Sequence, residues 1–242
     1  MIYLPTLRHP SLLKRGKGVT TYPMTYPHIL TTAIPQNDKL LAYGFTQSGG
    51  NLVLGKDIAE GDFYVRITLS EKDLSAEVFE SGTDEKYVLF DVASAHGAFV
   101  AQIRNEVRQV IDDILEECFV SGDIKEKYED FLHEHFGAAG DNPWEDDADS
   151  TVYRCPNGKW FALVMRIKFK NLGFASEEPV WAVNLKAEDA KSVVDGKSIF
   201  PAYHMNKKYW ITVLLSAVTD FENLCKLTEE SFNLVRGKKG HV

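Results

Sequence analysis

The sequence predicts an α+β protein of two modules, each an antiparallel sheet packed with helices, and three observations carry that expectation. Short β-type runs between residues 40 and 92 are separated by only a few turn residues, whereas a parallel crossover needs a dozen or more. An apolar stripe at three- and four-residue steps from Phe99 to Cys118 closes this meander with a helix. A second set of strands and helices follows Gly122, with an Asn-Gly hairpin signal at Asn157-Gly158.

Residues 1–36 hold more than half of the nine prolines and little periodicity, so they read as an irregular N-terminal arm with a short helix near Tyr26 to Thr32. Residues 37–119 form the first module. Its strands are expected at Leu40–Phe45, Asn51–Leu54, Phe63–Leu69, Ala76–Phe79 and Tyr87–Val92, with turns at Ser48-Gly49-Gly50, Glu60-Gly61-Asp62 and Glu80–Asp84. In the helix that follows, Phe99, Val100, Ile103, Val107, Val110, Ile111, Ile114, Leu115 and Cys118 face the sheet.

The second module, residues 123–236, opens with a helix from Asp123 to Phe136 whose inner positions are Tyr128, Phe131, Leu132 and His135. Gly137 to Gly140 stops it. A hairpin of Thr151–Cys155 and Lys159–Lys170 comes next, then a strand at Val180–Leu185, a short helix at Ala187–Val194 and a strand at Tyr209–Leu215. Period two places Arg166, Lys168 and Lys170 on one face of the long strand and Ile167 and Phe169 on the other. Thr219 and Glu222 fit a capping box opening the last helix, to Val235, with Phe221, Leu224, Cys225, Phe232 and Val235 inward. The tail from Arg236 is polar and expected to fray.

The 242 residues, 44% hydrophobic and 26% charged, suit a soluble globular protein. No apolar stretch approaches the ~20 residues of a membrane span. The first residues lack the order of a signal peptide, because the basic cluster follows the apolar residues. Cys118, Cys155 and Cys225 are widely spaced, which suits a reducing cytoplasm and argues against disulfides or a cysteine zinc site. The net charge of −8 is unevenly placed: ten acids face two bases between Asp123 and Asp149, whereas ten bases face five acids between Arg154 and Trp210.

The segments Arg154-Cys-Pro-Asn-Gly-Lys-Trp-Phe-Ala-Leu163, Asn184-Leu-Lys186, Phe200-Pro-Ala-Tyr-His-Met-Asn-Lys-Lys-Tyr-Trp-Ile-Thr-Val213 and Glu230-Ser231-Phe232 resemble, in order and spacing, the MmcQ/YjbR family over residues 123–236. The resemblance implies a small α+β domain of the frataxin (CyaY-like) fold and DNA binding through a "double wing" motif. Residues 37–119 resemble the extra N-terminal module of longer members, for which no activity is implied.

Cations, an amide, an imidazole and aromatic planes crowd into Tyr203 to Trp210, the combination that contacts phosphates and stacks on bases. The expected nucleic-acid-binding residues are Arg154, Lys159, Arg166, Lys168, Lys170, Lys186, Tyr203, His204, Asn206, Lys207 and Lys208. The alternatives are a protein partner docked on the acidic loop 141–149, or a small-ligand or metal pocket at the Tyr203–Lys208 corner. His133 and His135 are two apart on a helix and diverge, unlike the i, i+4 pair of a zinc helix. Carboxylates at Glu126, Glu129, Asp130, Glu134, Asp146 and Asp147 offer hard cations only a solvated acidic face. No phosphate loop, nucleophile elbow or Cys-His signature is present, so no catalytic residue, metal or cofactor is expected.

Overall fold

The computed structural model describes residues 24–237, so most of the expected arm and nearly all of the polar tail lie outside the described residues. The first half runs β1 (Met24–Thr25), β2 (Ala33–Pro35), α1 (Asn37–Tyr43), β3 (Thr46–Ser48), β4 (Asn51–Ile58), β5 (Phe63–Leu69), β6 (Leu74–Glu80), α2 (Ala98–Cys118) and β7 (Phe119–Ser121). The second runs α3 (Lys125–Phe136), β8 (Ser150–Arg154), β9 (Trp160–Lys168), β10 (Pro179–Lys186), α4 (Ala190–Val193), β11 (Ile199–Pro201), β12 (Trp210–Leu214) and α5 (Phe221–Arg236). Each half builds one five-stranded antiparallel sheet, ordered β1-β6-β5-β4-β3 and β11-β12-β10-β9-β8, and β2 pairs with β7 in a small ribbon.

Val65, Ile67, Ala76 and Val78 line one face of the first sheet and meet Ile103, Val107 and Ile114 of α2 in a single buried cluster. Four expectations change here. Leu40–Phe45 is not a strand: α1 takes Asn37–Tyr43, burying Leu40, and Gly44 stops it at a φ of 123° that only glycine adopts readily. Tyr87–Val92 is not a strand either. Its backbone groups are taken by a side chain, because the Arg104 guanidinium donates to the carbonyls of Leu89, Phe90, Val92 and Ala95, and Val88–Phe90 closes as a 3₁₀ turn. Residues 24–36 are not irregular, since β1 pairs with β6 and β2 with β7, with a 3₁₀ turn at Ile29–Thr31 between them. Phe99, expected inward, is 45% exposed.

In the second sheet, period two divides the residues between two apolar layers. Val164, Val183, Leu185, Ile211 and Val213 face Tyr128 and Leu132 of α3 and Leu224 and Leu227 of α5. Leu163, Met165, Ile167, Ala182 and Leu214 form a cluster on the opposite face. The α3 helix ends at Gly137 in the left-handed region, as expected, but His135 points outward to Glu229 at 3.2 Å. The last helix is capped by Asp220, whose carboxylate accepts from the Asn223 N–H, while Thr219 turns back to the Leu214 carbonyl. The halves touch where the Ser216 hydroxyl donates to the Thr31 carbonyl at 2.8 Å and where buried His28 packs on Phe169.

Candidate nucleic-acid interface

The Tyr203–Lys208 corner is held from beneath by a buried polar network. Asn184 and Thr212 lie opposite each other on β10 and β12, and both are wholly buried, which is costly unless their polar atoms are paired. They are. The Thr212 hydroxyl donates to Asn184 Oδ1 at 2.5 Å and accepts from the Tyr203 N–H at 2.8 Å, and Asn184 Nδ2 donates to the Tyr203 carbonyl at 2.8 Å. Both backbone polar groups of Tyr203 are therefore fixed by the sheet. His204 follows at a φ of 58°, a conformation histidine tolerates better than most, with its ring 3.9 Å from that of Tyr203. Asn206 then makes the turn: its Oδ1 accepts from the Lys208 N–H, and its carbonyl accepts from the N–H groups of Tyr209 and Trp210. His204, Asn206, Lys207 and Lys208 are left exposed.

Strand register adds a feature that sequence spacing hides. Trp210 lies directly opposite Lys186, and both share the face of Asn184 and Thr212. On β9, Leu185 pairs with Ala162, and an irregularity in the β8–β9 register sets Trp160 against Arg154. Trp160 packs on the same apolar layer as Leu163, with the Arg154 guanidinium 5.4 Å from its ring centre. A transverse row of Trp210, Lys186, Trp160 and Arg154 thus crosses four neighbouring strands at one end of the sheet. Three strand spacings of ~4.8 Å give it a width of roughly 14 Å.

Ser231 of α5 pins this row from the helical side. Its buried hydroxyl accepts from the Lys186 N–H at 2.8 Å and donates to the Phe161 carbonyl at 2.5 Å, bridging β10 and β9 just where their ladder ends. Asn157, in the hairpin turn beside Lys159, donates to the Val235 carbonyl at 3.0 Å and ties that turn to the same helix.

The expected basic residues do not form one surface. Arg166 and Lys168 pair with Trp181 and Pro179, some 16 and 23 Å along β10 from Lys186 at 3.3 Å per residue. Period two also sends their side chains to the opposite face from Lys186. The strand ends at Lys168, so Lys170 stands in a 3₁₀ turn rather than on the face expected for it. Lys168 and Lys170 share one carboxylate, Glu177, at 3.0 and 2.8 Å, and the two ammonium groups hold it below the usual carboxylate range. Arg154 is spent on Asp141, which it grips through two nitrogens at 3.0 and 3.1 Å. Lys159, Lys186, Lys207 and Lys208 make no ion pair among the described residues, and all four cluster at the Trp210 end.

Among the described residues, no group of three or more His, Cys, Asp or Glu side chains is placed to hold a metal. Burial pushes the thiols of Cys118, Cys155 and Cys225 up, so none is poised as a thiolate near neutrality. No described helix is long and apolar enough to cross a membrane. Sequence reasoning placed Trp210 in the site segment but missed Thr212 and Trp160, and gave Asn184 and Ser231 no role. A buried Asn opposite a buried Thr carries no local signal, and Trp160 stands among apolar residues although it is only half-buried.

Residues 134–234 match the family model described as YjbR. The uncharacterized protein YyaQ of Bacillus subtilis is 30% identical over 108 residues, 43% of this chain and 92% of YyaQ. A crystal structure of a Pseudomonas syringae protein is 36% identical, with a TM-score of 0.45 over 46% of this chain and 98% of that one. A Deinococcus radiodurans protein whose domain is described as DUF419 is 23% identical, with a TM-score of 0.37 over 50% of this chain and 83% of that one. The chain thus covers nearly the whole length of YyaQ, and it belongs to the YjbR family.

Proposed function

We propose that the C-terminal half is a non-catalytic nucleic-acid-binding module whose contact surface is the Trp210 end of its sheet, with Lys159, Lys186, Lys207 and Lys208 meeting phosphates. One observation carries this reading. Arg154 on β8 and Lys168 and Lys170 at the far end are matched with acids, and Arg166 stands alone on the other face, whereas these four lysines share one end of the sheet without carboxylate partners among the described residues. Cations gathered beside exposed polar and aromatic groups suit an external anion. The surface is smaller than the one expected from sequence, and Arg154, Arg166, Lys168 and Lys170 fall outside it or are already neutralised.

Titration of a labelled oligonucleotide into the full chain at low salt tests the reading. The Lys207→Ala/Lys208→Ala variant should bind several-fold more weakly and reduce the slope of log K against log salt by 1 to 2, at about 0.7 to 0.9 per lost phosphate contact. Absence of binding by the unmodified protein at low salt would remove the proposal.

A further inference from the structure

We infer that this surface takes single-stranded rather than duplex nucleic acid, with a base plane on Trp210 and the backbone on the lysines; the inference rests on the nucleic-acid reading above. Four strands present Trp210, Lys186, Trp160 and Arg154 side by side on one face, so a cation stands between the two indoles, which are two strand spacings or roughly 10 Å apart. Trp210 has no aromatic or cationic partner among the described residues and belongs to neither apolar layer of its sheet, although it is only partly buried. Trp160 is already met by the Arg154 guanidinium at 5.4 Å and by the near-perpendicular ring of Trp144 at 5.5 Å, so it borders the platform rather than forming it.

Indole faces contribute when bases are unstacked, because a paired base offers no free π-face. Reading a duplex calls for a different tool, a helix or ribbon that enters the major groove. None of the described helices offers one. The outer surface of α3 carries Glu126, Asp130 and Glu134 against Lys127 and would meet phosphates with like charge, and α5 exposes Glu222 and Glu230 beside Lys226 and Arg236, with no basic excess. The rigid backing points the same way. Ser231 locks the Lys186 and Phe161 backbone, and the Asn184–Thr212 network locks Tyr203, so the row is preorganised rather than adaptable.

The test is a fluorescence-anisotropy comparison of a labelled oligothymidylate of about 15 nucleotides with a hairpin duplex of similar length, using the full chain at low salt. Single strands should bind at least tenfold more tightly. Trp210→Ala should lose roughly tenfold in single-strand affinity, the effect of one stacked base, and Trp210→Phe should retain most of it because a π-face remains. The phenylalanine variant and circular dichroism of both proteins separate lost stacking from lost folding. Equal or tighter binding of the duplex, or a folded Trp210→Ala protein that binds like the unmodified one, overturns the inference and leaves the nucleic-acid reading standing. Binding of neither oligonucleotide removes both.

Discussion

The two sheets share a plan but use their polar groups differently. In the first half, charged side chains are turned inward on the fold. Lys86 bridges Glu77 and buried Asp91 at 2.8 Å each, Lys56 meets Asp113 at 3.2 Å, and Arg104 gathers four loop carbonyls. In the second, neutral groups do the holding. Asn184 and Thr212 satisfy each other and the Tyr203 backbone, Ser231 satisfies the backbone of Lys186 and Phe161, and lysines at the sheet end are left over. The first half also has exposed bases without ion pairs among the described residues, Lys39, Lys72 and Arg108, but they lie on separate elements. Those of the second stand beside a corner fixed by amides and hydroxyls, and this difference locates the candidate site in the second half.

The comparison breaks most readily at the neutral network. Thr212→Val removes the hydroxyl but keeps the shape, leaving the Tyr203 N–H and Asn184 Oδ1 unpaired in the interior. Ser231→Ala does the same to the Lys186 N–H and Phe161 carbonyl. Each should cost about 2 kcal/mol in urea unfolding, and each should also weaken oligonucleotide binding because the corner or the row loosens. A loss well under 1 kcal/mol in both would mean that the network does not support the site. In the first half, Arg104→Ala exposes loop carbonyls that water can reach, so a smaller loss of about 1 kcal/mol is expected, with oligonucleotide affinity unchanged. If affinity fell as well, the division of labour between the halves would fail.

His28 sharpens the comparison through pH. Burial lowers its pKa below the ordinary histidine value, outweighing the opposing pull of Glu178 at 3.4 Å. The unfolded chain then takes up the proton first, so this contribution to stability is present above about pH 6.5 and is lost as pH falls through the folded-state pKa. The thermal midpoint should fall between about pH 7 and 5, and His28→Gln should flatten that fall. An identical pH profile in the variant would show that His28 is not its source. The smallest effect is expected from Lys168→Ala with Lys170→Ala. These lysines already share Glu177 at the far end of the sheet, so oligonucleotide affinity should change less than twofold.

Much of this arrangement was legible in the sequence where a local signal exists. The Asn157-Gly158 turn, the α2 stripe from Val100 onward and the alternation from Arg166 to Phe169 appear as read, because each is a short-range steric or burial pattern. The α1 helix was not, since Leu40, Leu41 and Tyr43 in two turns look like a strand until Gly44 is seen to stop them. The site was only half legible. Tyr203 to Lys208 stand together in sequence, but Trp210, Lys186, Trp160 and Arg154 are brought into one row by register and by an irregular β8–β9 pairing that no spacing announces. Neutralisation of Arg154 by Asp141 and of Lys168 and Lys170 by Glu177 is likewise a matter of tertiary contact, invisible to a count of charges.

Backbone amide chemical shifts of the isotopically labelled full chain, followed during addition of an oligothymidylate, test the central claim most directly. The account predicts progressive shifts confined to residues 157–162, 184–187 and 203–212, with the Arg166–Glu178 end and the first sheet unmoved. Shifts centred on Arg166, Lys168 and Lys170, or on the first sheet, would contradict it.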